Sequence, residues 1–253
     1  MRIRDKRKHG LLFLALLTGG CATMSAEDCS TADWRLIGLA DGSQGQLLSK
    51  ADRRGSDCAK HGVTMDRGSY EAGRDEGLAD YCVEGTAYQL GERGQSYNGV
   101  CVAHNEADFL AAYEKGLELH AFTVAASNAS SQLVSARARH ETLDDQLEKY
   151  WGGYREEGLS AEEHNTMVLE LWSERKYLAS KAIPYWLDAD RALTEALNDY
   201  RSKVAANDPS IGSQLRPPAY PGPEPWDGPT QEEARAMLQE VFSTLARAGN
   251  GSE

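Results

Sequence analysis

The chain has 253 residues, with 27 Lys and Arg set against 39 Asp and Glu for a net charge of −12. Affinity for nucleic acid comes from cations that displace counterions from phosphates, so this balance argues against a nucleic-acid partner. The same balance repels anionic lipid head groups, so any attachment to a membrane has to come from something other than the surface of the fold.

Residues 1–8 hold five cations, Leu11 to Leu17 is wholly apolar, and Thr18-Gly19-Gly20 is small ahead of Cys21. That is the layout of an export signal. A bilayer-crossing helix needs about 20 apolar residues, and this run ends after about ten. The order Leu17-Thr18-Gly19-Gly20-Cys21 resembles a bacterial lipobox, although Thr18 stands where the pattern prefers Leu, Val or Ile. The resemblance implies removal of residues 1–20 and lipidation of Cys21. Ala22 after it, rather than Asp, implies transfer to the outer membrane, facing the periplasm. A single acyl chain anchors marginally, whereas the three carried by that lipoprotein class suffice. The rival is simple cleavage before residue 27, with Ala26 suitable but Met24 poorly placed. Loss of residues 1–20 leaves 22 cations and 38 acids, a net charge of −16.

Residues 21–104 read as a Cys- and Gly-rich module. Cys29, Cys58, Cys82 and Cys101 are an even set, which in an oxidising compartment reads as two disulfides with three possible connectivities. Nearest-neighbour pairing, Cys29 with Cys58 and Cys82 with Cys101, is the working expectation. Cys58-Ala-Lys-His61 and Cys101-Val-Ala-His104 offer a tetrahedral zinc site as the rival, without the Cys-x-x-Cys that tandem sites usually show. Twelve of the 24 glycines fall between Gly38 and Gly99. So small and glycine-rich a stretch needs the disulfides, at about 2–4 kcal/mol each, to fold. Tyr-x-x-Gly recurs at Tyr70–Gly73, Tyr88–Gly91 and Tyr113–Gly116, and Ser69, Gly73 and Gly77 predict a shallow helical stripe for close backbone approach. A phosphate-cradling loop is the alternative, but neither glycine signature for one occurs.

Cys29, Trp34, Ile37-Gly38, Asp41-Gly42, Cys58, Tyr70-Glu-Ala-Gly73-Arg74-Asp-Glu-Gly77-Leu78, Tyr81-Cys82, Gly91-x-x-Gly94, Tyr97-Asn-Gly99-Val100-Cys101, Phe109 and Tyr113 follow in order. Over about residues 21–120 this pattern resembles the Gram-negative lipoprotein family catalogued as domain of unknown function 2799. The resemblance implies an envelope location and carries no activity, substrate or catalytic residue.

Residues 105–206 predict a long antiparallel helical hairpin. Phe109, Tyr113, Leu117, His120 and Val124 recur at steps of three and four, and Leu143, Leu147, Tyr150 and Trp151 resume the pattern. Gly152-Gly153 and Gly158 mark the turn, and Ser160-Ala-Glu-Glu163 is a capping box that starts the second arm. Its apolar set, Val168, Leu171, Trp172, Leu178, Ala182, Trp186, Leu193, Leu197, Tyr200 and Val204, stays in phase across Pro184, which predicts a kink. Seven of the eight prolines lie in residues 207–229, read as an extended spacer, with Tyr220 and Trp226 as the aromatics of a ligand strip in the sharper reading. Thr230-Gln-Glu-Glu233 caps a last amphipathic helix over 230–253 that presents Ala234, Met237, Leu238, Val241, Phe242 and Leu245. It is expected to dock on the hairpin, and otherwise to bind a partner.

The fold class expected is therefore mainly α: a small Gly-rich, disulfide-stapled module, a long hairpin and a C-terminal amphipathic helix. Catalytic signatures are weak. His140-Glu-Thr-Leu-Asp144 has Asp144 where a zinc protease carries its second histidine, and there is no Gly-x-Ser-x-Gly. Asp144-Asp145 and Asp188/Asp190 read as solvated surface, and His120 as a packed or edge histidine. The expected function is a non-catalytic structural or protein-interaction role in the envelope, with no catalytic residue, metal or cofactor and an envelope protein as partner. The alternative is an enzyme or small-ligand binder with its pocket in the Gly-rich module around Asp41, His61, Asp66 and Arg74.

Overall fold

The computed structural model describes residues 24–236 and 239. It is mainly helical, and the described residues contain no strand. Packing divides the chain into two units. Of the described residues, one unit holds those up to Cys82 together with Asn98–His104; the other holds Val83–Tyr97 and those from Asn105 onward.

In the first unit, α1 (Ala26–Ser30) starts at a Ser25–Asp28 capping box, α2 (Trp34–Gly42) at Asp33 and α4 (Arg67–Tyr81) at Asp66, each side chain accepting from an otherwise unpaired first-turn N–H. Between them lies α3 (Ser49–Lys60). Cys29, Trp34, Ala51, Cys58 and Tyr70 form the core. Helices α2 and α4 approach until backbone meets backbone: a Cβ added at Gly38 would stand 2.0 Å from the Tyr70 carbonyl oxygen, and one at Gly77 2.2 Å from that of Leu39. Gly73 and Gly77 thus do what the predicted small-residue stripe requires. Ser69 does not join them, because its hydroxyl is spent on the α4 cap, 2.7 Å from Asp66.

The second unit builds the same arrangement again from α5 (Glu84–Glu92) and the first third of α6 (Glu106–Trp151). A Cβ at Gly91 would stand 2.3 Å from the Tyr113 carbonyl and one at Gly116 2.2 Å from that of Tyr88, just as Gly42 meets Arg74 and Gly77 meets Leu39 at 2.2 Å each. The register then fixes the other equivalences. Gly45 and Gly94 take the left-handed conformation after their helices, at φ 63° and 64°, where glycine alone is unstrained. Tyr81 covers the first and His120 the second. The carbonyl of the following glutamine is held each time by the facing helix, Gln46 by Arg74 at 2.8 Å and Gln95 by the Tyr113 hydroxyl at 2.9 Å. Buried Gly38 and Gly73 correspond to buried Ala87 and Ala112, and buried Tyr70 to buried Phe109. The recurring Tyr-x-x-Gly is not the repeat itself, since Tyr113 occupies the position of Arg74.

The hairpin follows: α6 of 46 residues, about 69 Å at 1.5 Å per residue, returns through α7 (Ala161–Tyr177), a π segment (Leu178–Ala182) and α8 (Ile183–Ala205). The Ser160–Glu163 capping box opens α7. Pro184 brings no N–H, and the widened π turn just before it absorbs the defect where a simple kink is expected. Leu119, Phe122, Ala126 and Ala129 pack against Ala189, Leu193, Leu197 and Tyr200 near one end, Leu143 against Leu178 and Ala182 farther along, and Leu147 against Val168 near the turn. The buried face at the start of α6 keeps Phe109 from the large apolar set that the sequence suggests and departs from it at Leu117 and Val124. Ala112, Gly116 and Leu119 face inward, while Leu117 and Val124 are 36% and 40% exposed, because close approach of α5 selects small residues.

Residues 207–229 are not a free spacer. Ile211 is buried in the hairpin core, Leu215 and Tyr220 pack against it, and the Gly222 N–H donates to the Tyr185 hydroxyl at 3.0 Å. The Thr230–Glu233 capping box is formed, and Lys176 on α7 pairs with Glu233 at 3.1 Å. Met237, Leu238, Val241, Phe242 and Leu245 of the expected C-terminal helix lie outside the described residues.

Candidate functional site

Cys21 and the export segment 1–20 also lie outside the described residues. The other four cysteines form Cys29–Cys58 and Cys82–Cys101, with Cα atoms 5.4 and 5.6 Å apart. Their sulfurs are therefore unavailable to the Cys-x-x-His arrangement. His61 is an exposed residue at the end of α3, and His104 sits 2.9 Å from Asp75. Among the described residues no group of three or more His, Cys, Asp and Glu side chains is arranged to hold a metal. Each disulfide joins the segment before the first helix of a copy to the segment before the second: Cys29 precedes α2 and Cys58 precedes α4, Cys82 precedes α5 and Cys101 precedes α6.

The four groups singled out in the Gly-rich module do not converge. Asp66 caps α4, and Arg74 donates to the Gln46 carbonyl. Asp41 is buried and answers Lys50 Nζ at 2.8 Å, Arg54 Nε and Nη2 at 3.0 and 3.1 Å, and the Tyr70 hydroxyl at 2.8 Å. Burial pushes its carboxyl up, but the hydrogen bonds from Arg54, Lys50 and Tyr70 together outweigh this and hold it below the ordinary value. Burial, followed by the Asp41 bond, drives the Tyr70 phenol well above its usual range. This is a structural cluster in which both carboxylate oxygens of Asp41 are engaged.

Glu118 is the buried carboxylate that sequence reading missed. It accepts from the backbone N–H of Gly212 at 2.9 Å and of Leu215 at 2.8 Å, and the Tyr200 hydroxyl lies 3.0 Å away. One acidic side chain on α6 thereby fastens the proline-rich strap and α8. The signal was available, since Glu118 falls between Gly116 and Leu119 on the buried side of α6, where a lone acid needs donors. Tyr200 is raised well above the ordinary tyrosine value, by burial first and by Glu118 second.

His120 packs as expected of a histidine at a helix edge, its Nδ1 3.0 Å from the Glu92 carbonyl. His140 lies 3.1 Å from Asp144, which is also bonded to Arg175, and Asp188 accepts from the Tyr220 hydroxyl at 3.4 Å. Asp144 serves contacts within the hairpin, and Asp188 a contact between the hairpin and the strap.

No curated protein and no solved structure matches the chain. One family model does, over residues 33–118, which run from the N-cap of α2 to Glu118 and so take in both copies of the helix pair. That model is described as Protein of unknown function (DUF2799), and residues 33–118 are the segment of the chain that is similar to it.

Proposed function

We propose that this is a lipid-anchored protein of the bacterial outer membrane, held by Cys21 and facing the periplasm, with a non-catalytic structural or protein-interaction role. The observation that carries the reading is cysteine use. Of five cysteines, four are consumed in two disulfides, and the one left over follows the cation-rich, apolar and small-residue segments of a lipobox-like start. Disulfides suit an oxidising compartment. No described helix is long and apolar enough to cross a membrane, so in this reading the lipid carries the attachment. A non-catalytic role is supported by the engagement of Asp41, Asp66 and Arg74 in caps, ion pairs and a carbonyl clamp.

The test is metabolic labelling with a fatty acid in the native host, read beside membrane fractionation. Label should enter the protein and be lost in Cys21→Ser, which should also leave the membrane fraction. Equal labelling of both, or a mature N-terminus downstream of residue 21, overturns the anchor.

A further inference from the structure

At the π segment Ile183 N–H reaches back to the Leu178 carbonyl, and Pro184 offers no N–H to the Ser180 carbonyl, which would pair with residue 184 in an unbroken α-helix. The strap lies against this irregular stretch. The Tyr177 hydroxyl donates to the Glu224 carbonyl at 2.6 Å, and Gly222 N–H to the Tyr185 hydroxyl at 3.0 Å. Between them is an open groove of about 430 Å³, in which Tyr177, Tyr185 and Trp226 meet Ser180, Lys181 and Asp227. π turns concentrate at functional sites.

We propose that the groove binds a neutral saccharide. Three aromatic side chains line it, and aromatic rings, electronegative at the face and apolar in area, suit the C–H face of a sugar ring. The remaining lining mixes donors and acceptors: the Lys181 ammonium donates, while the Asp227 carboxylate and the Ser180 hydroxyl, whose own proton goes to the Lys176 carbonyl at 2.8 Å, accept. Sugar hydroxyls donate and accept at once and need both. Charge argues for a neutral ligand, because Lys176 is taken by Glu233 and Lys181 stands alone against Glu224 and Asp227 on the lining, a surplus that repels anions. The volume falls within the range of small-molecule sites, with room for a short oligosaccharide. The proposal does not depend on the lipid anchor.

The test uses the full chain, labelled with nitrogen-15, whose five tryptophans each give one indole N–H signal. Trp226→Phe identifies its own signal. Titration with the neutral tetrasaccharides of β-1,4-linked N-acetylglucosamine and of glucose should move that signal saturably with at least one of them. Trp226→Ala should abolish the heat of binding in calorimetry, and Lys181→Ala, at an exposed position, should weaken it at least about threefold without moving the melting temperature. A Trp226 signal unmoved by both sugars up to about 10 mM overturns the proposal. So does a parallel shift of Trp151, 58% exposed outside the groove, which would mean indiscriminate stacking.

Discussion

The two helix pairs differ at one correlated place, and the difference can be exchanged. Where the first carries Asp41 and Tyr70, joined at 2.8 Å, the second carries Leu90 and Phe109. Asp41→Leu alone strands the hydroxyl of Tyr70, a fully buried side chain, at a cost of about 1–3 kcal/mol. It also frees Lys50 and Arg54, whose side chains are 27% and 26% exposed and can take water, so their loss adds only about 1 kcal/mol. Tyr70→Phe alone removes one of the donors to a carboxylate that keeps Lys50 and Arg54, at about 1 kcal/mol. In the double variant hydroxyl and acceptor vanish together, as in the second copy, and the cost falls back to the lost ion pairs. The singles should therefore sum to about 2–4 kcal/mol more than the double. Denaturant unfolding of the oxidised chain, followed by circular dichroism and tryptophan emission, measures the cycle. Additivity within about 0.5 kcal/mol would refute both the assigned hydrogen bond and the equivalence of the copies.

Gly77→Ala and Gly116→Ala put a methyl 2.2 Å from a carbonyl oxygen and should each destabilise by about 3 kcal/mol, whereas Gly85→Ala, in α5 with nothing within 4 Å, should stabilise by about 0.5–1 kcal/mol in the same melts. Glu118→Gln, which can no longer accept fully from both Gly212 and Leu215, should cost about 1.5–3 kcal/mol and speed protease cleavage within residues 207–229; an unchanged cleavage rate would remove Glu118 as the strap's fastening. On the acid side, Asp41 is lowered in the folded state, so its contribution is present above the ordinary carboxylate value and lost as pH falls through the lowered one; a pH series of melts should show a shallower acid loss in Asp41→Leu. On the alkaline side, Tyr70 and Tyr200 are raised, so stability should hold below about pH 10 and decline above it, less steeply in Tyr200→Phe.

Helix starts were legible because they are local chemistry: Ser160 with Glu163 and Thr230 with Glu233 announce caps that need nothing distant. The hairpin was legible for the same reason, since apolar residues at helical spacing survive from Val168 to Tyr200 even across Pro184. The start of α6 misled because its large side chains, Leu117 and Val124, look like the buried face while Ala112 and Gly116 form it. Hydrophobic periodicity reads side-chain burial and is blind to contact made through backbone. Glu118 and the strap were hidden for a different reason. A proline-rich stretch signals only that it is extended, and whether it lies on the protein depends on a carboxylate about a hundred residues earlier.

Two ways of packing helices therefore meet in one chain, and they fail differently. In the pairs α2 with α4 and α5 with α6, glycines bring backbones together and leave little apolar side-chain area to remove from water, so each pair leans on a disulfide that joins the segments ahead of its helices. Along the hairpin beyond Leu119, leucines, alanines and aromatic rings pack side chain on side chain with no covalent link. Thiol reduction should then strike both helix pairs and leave the distal hairpin intact. Hydrogen exchange on reduced and oxidised protein separates the two. Protection should fall in Trp34–Gly42 and Arg67–Tyr81 but persist in the α6 and α8 segments around Phe122 and Leu193. Equal loss in both regions would mean that the hairpin takes its stability from the disulfide-bonded pairs rather than from its own length.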